Sequence, residues 1–240
     1  MSHKVVRRIS RPDVEIVRTL GELGVATVHE AMGRRGLMRP YMRPLYPEAR
    51  LSGPAVTVSC HPGDNLMIHA AIEVCQRRDV LVVAPTSEST DGMFGELLAV
   101  SCRTHGIAGL IIDAGVRDAA EITAMQFPVW SKTICAQGTE KASAGSINVP
   151  LVCAGALIHP GDAVVADLDG VVVTPRQSAT EVARLGEERR AKEEKTRERL
   201  ARGELGLDFY GLRAKLAELG VRYVESESDA EPESGRAAGR

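Results

Sequence analysis

Hydrophobic positions along this chain follow two periods, and their succession predicts an alternation of helices and buried strands. Residues 12–23 read as an amphipathic opening helix, with Pro12 in its tolerated first turn, and Val28–Met32 as a second short helix. Ala55–Cys60 is an apolar run of strand length. The turn His61-Pro62-Gly63-Asp64 follows, with Asp64 placed to cap a helix reaching about Gln76. Val80–Ala84 (VLVVA) is a further strand, and Glu96–His105 has a helical pattern that Gly106 is placed to end. Gly109–Asp113 reads as a strand ending at Asp113, turned by Ala114-Gly115 into a helix that starts at Arg117-Asp118 and reaches about Met125. Val129–Trp130, Val149–Cys153, Ala163–Asp167 and Gly170–Val173 are strands separated by turn signals.

The order strand, loop, helix, strand, loop, helix between Val80 and Met125 is a βαβ pattern, and a right-handed crossover makes such strands parallel. Both loops then open at the carboxyl ends of their strands, where open α/β sheets bind ligands. Gly95–Leu98 and Arg117-Asp118 therefore face one crevice although about 20 residues separate them.

From Ser178 to Arg202 the pattern turns to charge. Glu188/Lys192, Glu193/Arg197 and Glu198/Arg202 each place Glu four residues before a cation, the favourable order on a helix. This helix has few apolar positions and reads either as a solvated helix or as an arm packing on a neighbouring subunit. Tyr210–Leu219 is another short helix, and beyond Glu225 the chain is polar and acidic, as in a disordered tail. Composition agrees with a sheet buried on both faces: 44% of the 240 residues are hydrophobic but only 3% aromatic, so the core is aliphatic. A net charge of −2 argues against a nucleic-acid partner. No apolar run approaches the roughly 18 residues of a membrane span, and MSHKVVRRIS lacks a signal-peptide core. Cys60, Cys75, Cys102, Cys135 and Cys153 form no CxxC pair, so they read as free thiols of a cytoplasmic protein.

The crevice brings together three kinds of group. The N–H groups at the helix start, residues 95–98, can hold a carboxylate, and Gly95 lets it approach closely. Arg117 adds a guanidinium, and Glu96 and Asp118 add carboxylates that a cation would join. Oxygen donors favour Mg²⁺ or Mn²⁺ over zinc. The plainer reading is a solvated turn with acidic caps. No GxGxxG, Walker or HExxH motif competes. His61, His69, His105 and His159 lack ligand spacing and read as turn or surface residues. Lys132 and Lys141 are weak Schiff-base candidates, and Arg34, Arg35 and Arg39 are candidate cations for a distal carboxylate.

The strings GELLAVSCRTHGIAGLIIDAGVRD, FPVWSKTICAQGT, INVPLVCAGALIHPGDAVVADLDGVVVTPR and GELGLDFYGLR, with ATVHEAMGR and PGDNLMIHAAIE, resemble bacterial 4-hydroxy-4-methyl-2-oxoglutarate / 4-carboxy-4-hydroxy-2-oxoadipate aldolases. These are class II pyruvate aldolases of aromatic-acid degradation, also active as oxaloacetate decarboxylases, in the superfamily of the regulator of ribonuclease activity A. The likeness runs from about Val5 to Val224. It implies a layered α-β-β-α sandwich with a partly parallel central sheet over residues 1–177. A C-terminal helical arm over 178–224 would pack on a neighbouring subunit, and 225–240 would be the tail. It implies that Asp118 ligates a divalent metal, that Arg117 contacts the pyruvoyl end, and that the backbone of Gly95, Glu96, Leu97 and Leu98 binds the carboxylate. Glu96 stands where many relatives have Asp and would hold a water on the metal. A Glu from a neighbour's arm, Glu193 ahead of Glu194 and Glu198, would complete a site in a homotrimer or homohexamer. The rival of another class is a regulatory binding protein of the same fold, like the superfamily members that inhibit ribonuclease E.

Overall fold

The apolar runs become strands whose alternate side chains enter two different cores, which is why they read as unbroken hydrophobic stretches. In a computed structural model describing residues 3–226, α1 (Val14–Ala31) leads into β1 (Arg43–Pro44), β2 (Leu51–Cys60) and α2 (Leu66–Val74). The chain continues through β3 (Val80–Pro85), β4 (Gly92–Phe94), α3 (Glu96–Thr104), β5 (Gly109–Val116), α4 (Ala119–Ala124) and β6 (Val129–Ile134). Then come β7 (Ser146–Ile147), β8 (Leu151–Cys153), β9 (Ala156–Ile158), β10 (Ala163–Asp167) and β11 (Gly170–Thr174). Helices α5 (Ala179–Ala201), α6 (Gly206–Phe209) and α7 (Leu212–Glu218) follow. Most of the acidic tail expected from Glu225 lies outside the described residues.

The main sheet runs β1-β6-β5-β3-β2-β10-β11, with β4 on β5 and β7 on β2. Strands β6, β5, β3 and β2 pair in parallel, as the crossover argument requires, while β1, β10 and β11 are antiparallel. Leu81, Val83, Leu110 and Ile112 face a core with α2, α3 and α4. Their strand neighbours Val80, Val82 and Ile111 face a second core, with Trp130, Val164, Val171 and the β8–β9 hairpin. Residues Ala163, Val165 and Val172 turn outward to α1 and the first turns of α5. Helices, sheet, second strand layer and helices thus stack in the expected α-β-β-α order. Each fully buried Val, Leu or Ile contributes roughly 1.5–3 kcal/mol.

The opening helix differs from expectation. Residues 14–31 form one element broken at Gly24, whose φ of 79° leaves the helical region. The Asp167 carboxylate accepts the Val25 N–H there at 2.9 Å, restarting the helix where sequence reading left a gap. Strand β2 also begins earlier than expected, because Leu51–Pro54 pair with β10.

Residues up to Arg190 form one compact unit and those from Ala191 a second. In the first, α5 buries Ala179, Val182 and Ala183, so the division falls beyond the expected 177/178 boundary. In the second, no described residue is buried, and the Arg199 guanidinium stacks over Phe209 at 4.2 Å. The expected helical pairs are replaced: Glu188 binds Arg184, Arg197 binds Glu194, and Arg202 binds Glu204. Helix α5 ends before Arg202. Among the described residues no helix is long and apolar enough to cross a membrane.

Two buried carboxylates tie loops to this framework. Asp79, inaccessible to solvent, takes a two-pronged bond from Arg11 at 2.8 and 2.6 Å and the Gln76 N–H at 2.7 Å. Asp64 accepts the N–H groups of Leu66, Ala142 and Ser143 at 2.9, 2.7 and 2.7 Å, fixing a strap at residues 139–144. Burial pushes its pKa up, but the three N–H groups outweigh burial and hold it below 3.8.

Asp79→Ala leaves Arg11 without its counter-charge and is expected to cost about 3 kcal/mol in urea unfolding. A depressed carboxylate adds stability above its unfolded pKa and loses it as pH falls through the folded one. The Tm of the wild type should therefore fall more steeply between about pH 5 and pH 2 than that of Asp64→Asn, which cannot titrate.

Candidate active site

Strand β5 does not end at Asp113, as the sequence suggests, but runs on to Val116. Gly115 and Val116 gain partners on both sides, Gly92 and Phe94 in β4 and Thr133 and Ile134 in β6. Asp113 is consequently a half-buried strand residue that accepts the Tyr41 hydroxyl and the Ala154 N–H, each at 2.9 Å. Burial, reinforced by this carboxylate, raises the Tyr41 phenol above its ordinary pKa.

The extension carries Arg117 and Asp118 to the start of α3. The Arg117 N–H donates to Phe94 O at 2.9 Å, which holds the two loops together. Asp118 then adopts φ 54° and ψ 42°, a left-handed conformation that Asp tolerates better than most residues. It stands at the cap position of α4 but makes no side-chain bond to that helix. Its Oδ2 instead accepts the Glu96 N–H, the first of α3, at 3.0 Å.

Gly95 is the residue this approach requires. A Cβ there would lie 2.4 Å from Asp118 Oδ2 and 3.1 Å from Arg117 Nε. The guanidinium Nε stands 3.6 Å from the same oxygen, and both side chains remain more than a third exposed, at 47% and 39%. Ala99 N–H closes the first helical bond onto Gly95 O, leaving the Leu97 and Leu98 N–H groups of the first turn without helical acceptors.

A cleft of about 460 Å³ is lined by Gly95, Glu96, Leu97, Leu98, Arg117 and Asp118. These are all the expected site residues that belong to the first unit. Glu193 lies in α5 within the second unit. Sequence reading missed another wall, formed by Asn65, His69 and Lys141. Asn65 precedes α2 and its N–H donates to Glu140 O at 3.0 Å, seating the strap that holds Lys141. His69 was expected at a turn or plain surface and Lys141 only as a weak nucleophile candidate; both line the cleft through contacts that no local motif signals. Burial, followed by the charge of Lys141, lowers the pKa of His69.

The three candidate arginines lie elsewhere. Arg34 pairs with Glu30 at 3.1 Å, Arg35 lines a depression with Leu37 and Leu157, and Arg39 rests on Gly155. Lys132 is tied to Glu88 at 2.6 Å. All five cysteines are free, and burial pushes the thiols of Cys60 and Cys102 up to about 12, which leaves them unreactive. Among the described residues no three His, Cys, Asp or Glu side chains converge to enclose a cation. The cleft offers carboxylate oxygens from Glu96, Asp118 and Glu121.

A family model described as RraA-like, Aldolase/RraA, matches residues 25–173. A Halalkalibacterium halodurans protein provisionally named 4-hydroxy-4-methyl-2-oxoglutarate aldolase is 29% identical over 78% of this chain and 89% of its own. A Burkholderia multivorans protein with the same provisional name is 31% identical over 65% of this chain and 96% of its own. The solved Streptomyces coelicolor RraAS2 is described as an unusual member of the RNase ES inhibitor RraA family. It superposes with a TM-score of 0.71 at 30% identity, covering 79% of this chain and 99% of that one. The extent of the family match, together with these relatives, shows that the chain belongs to the RraA-like (Aldolase/RraA) family.

Proposed function

We propose that this protein is a divalent-metal-dependent lyase that splits 4-hydroxy-2-oxo dicarboxylic acids by retro-aldol cleavage, releases pyruvate, and also decarboxylates oxaloacetate. The observation that carries this reading is the meeting of Arg117, Asp118 and the open N–H groups of α3 in one cleft. The names of the aldolase relatives support it.

The donors fit a hard cation. Asp118 has spent one oxygen on the Glu96 N–H, and its Oδ1 takes no hydrogen bond from the described residues. With so few protein ligands, waters and substrate oxygens would fill the remaining positions, as Mg²⁺ or Mn²⁺ prefers. Asp118 would hold such an ion, which would supply Lewis-acid polarisation of the substrate's 2-oxo group.

The residues supply the rest. The Leu97 and Leu98 N–H groups, at the positive end of α3, hold the C1 carboxylate. Arg117 donates to the 2-oxo oxygen, where negative charge accumulates as the C3–C4 bond breaks. Glu96 orders the water that receives the proton of the C4 hydroxyl. The C3–C4 electron pair becomes the enolate of pyruvate, held by Arg117, and protonation at C3 completes the product. Loss of CO₂ from oxaloacetate gives the same enolate, so one site serves both reactions. The reading extends to assembly as a homotrimer or homohexamer in which Glu193 of a second copy completes the site. Light scattering and the activity of Glu193→Ala test that extension.

The likeness to RraAS2 supports a second reading, a regulator that binds a ribonuclease and needs no chemistry in the cleft. A pyruvate-release assay with and without Mg²⁺ decides between them: the lyase reading expects turnover that a chelator abolishes, and turnover untouched by chelation or absent altogether overturns it. Asp118→Asn keeps a side chain that tolerates the left-handed backbone while removing the charge, and kcat/KM should fall by at least about 10³-fold with little change in Tm. Gly95→Ala should leave the fold intact but push Asp118 aside, lowering kcat/KM by roughly 10²-fold.

A further inference from the structure

A second cavity, of about 370 Å³, lies at the opposite end of the parallel strands from the cleft. The cleft stands where α2 and α3 begin; this cavity stands where they end, beside the first residues of β2, β3 and β5. Its floor is apolar, formed by Val17, Pro54 and Ala108. Its rim carries four guanidinium groups, those of Arg11, Arg18, Arg77 and Arg78, and no carboxylate of the described residues lines it. An apolar floor with a few convergent polar groups is the usual build of a small-molecule site, and this volume is near the lower end of the range.

Two of the four arginines are already spent. Arg11 gives Nε and Nη2 to Asp79 and Nη1 to Ile9 O. Arg18 gives Nε and Nη2 to Glu15 and Nη1 to Glu22. Arg77 and Arg78 have no carboxylate partner among the described residues, yet both are held in place. Arg77 Cγ and Nη1 stand 3.0 and 3.2 Å from the point a Cβ on Gly106 would occupy, so the side chain is seated on that glycine. The Arg78 N–H donates to Gly106 O at 2.8 Å, and its φ of 73° is a left-handed conformation that Asn or Gly adopts at less cost. Solubility alone does not call for an arginine at such a backbone position.

Charge decides what fits. Helices α2 and α3 end beside these arginines, and each helix end presents roughly half a negative charge. Against two unpaired guanidinium groups they leave about one positive charge above the apolar floor. A dianion would exceed that charge, and a bare inorganic ion would leave the floor uncovered. We propose that this cavity binds an organic monocarboxylate with a compact apolar body. Arg77 and Arg78 take the two carboxylate oxygens, and the body lies against Val17, Pro54 and Ala108. The site is separate from the cleft and stands whether or not the lyase reading does.

Three probes separate the head from the body: cyclohexanecarboxylate has both, cyclohexanemethanol lacks the charge, and acetate lacks the ring. In ligand-observed NMR titration of the full chain, the wild type should bind cyclohexanecarboxylate with a Kd of about 1 mM or below. The alcohol and acetate should each bind at least about 10-fold more weakly. Arg77→Gln and Arg78→Asn should each weaken cyclohexanecarboxylate binding, and the double variant should weaken it at least about 10-fold. Both arginines are exposed and Asn suits the left-handed backbone, so Tm should hold in all three variants. Arg117→Gln, in the cleft, should leave this binding unchanged. A wild type that does not bind cyclohexanecarboxylate, or binds the alcohol or acetate as tightly, overturns the site. So does binding that survives in the double variant or disappears in Arg117→Gln. A fall in Tm in both single variants assigns the two arginines to the helix ends alone and overturns it as well.

Discussion

Parallel pairing along β5 is the constraint on which the cleft depends. Val80–Val83 lie beside Gly109–Ile112, and β4 then takes over the same edge of β5 from Gly115 onward. The chain thus reaches the start of α3 and the end of β5 at the same level of the sheet. Only because of this can the Asp118 carboxylate receive the Glu96 N–H, a bond between loops 22 residues apart. The left-handed backbone at Asp118 costs of order 1 kcal/mol, and a charge-assisted bond to a helix N–H is of comparable size. The geometry is therefore maintained by the packed strands beneath it rather than by the loop itself.

What could be read in advance follows from the same constraint. Gly95–Leu98 and Arg117-Asp118 were legible as one site because crossover handedness and strand order determine which loops meet, whatever their side chains do. Helix α3 was legible to within one residue because Gly106 ends it and its apolar face is regular. Asp113 was misplaced because the extension of β5 is produced by β4 and β6, which supply partners that no window around Asp113 contains. The immediate restart of α1 after Gly24 escaped notice because its cap, Asp167, comes from 142 residues away.

The second wall was illegible for a sharper reason. Lys141 reaches the cleft through backbone N–H groups bonded to Asp64 across 78 and 79 residues, and backbone donors leave no mark on sequence. Asp64 itself was read as a helix cap, and it does accept the Leu66 N–H. That local role concealed the long-range one. An acidic residue at a helix start has two oxygens, and a buried one uses both.

Charge in the cleft ties these parts together. Its lining holds Arg117 and Lys141 against Glu96, Asp118 and Glu121, an excess of one negative charge. The dicarboxylate of the proposed reaction would be repelled by such a site, since like charges 4 Å apart interact by about 4 kcal/mol at the effective dielectric of a protein surface. A divalent cation, as proposed, would reverse that sign. The Arg117–Asp118 pair is well suited to such an exchange of partners. At 3.6 Å and partly exposed it is worth less than about 1 kcal/mol, so Arg117 loses little by turning to a developing oxyanion. Asp118 has its own, shorter bond at 3.0 Å to the Glu96 N–H, so its position does not depend on that pair.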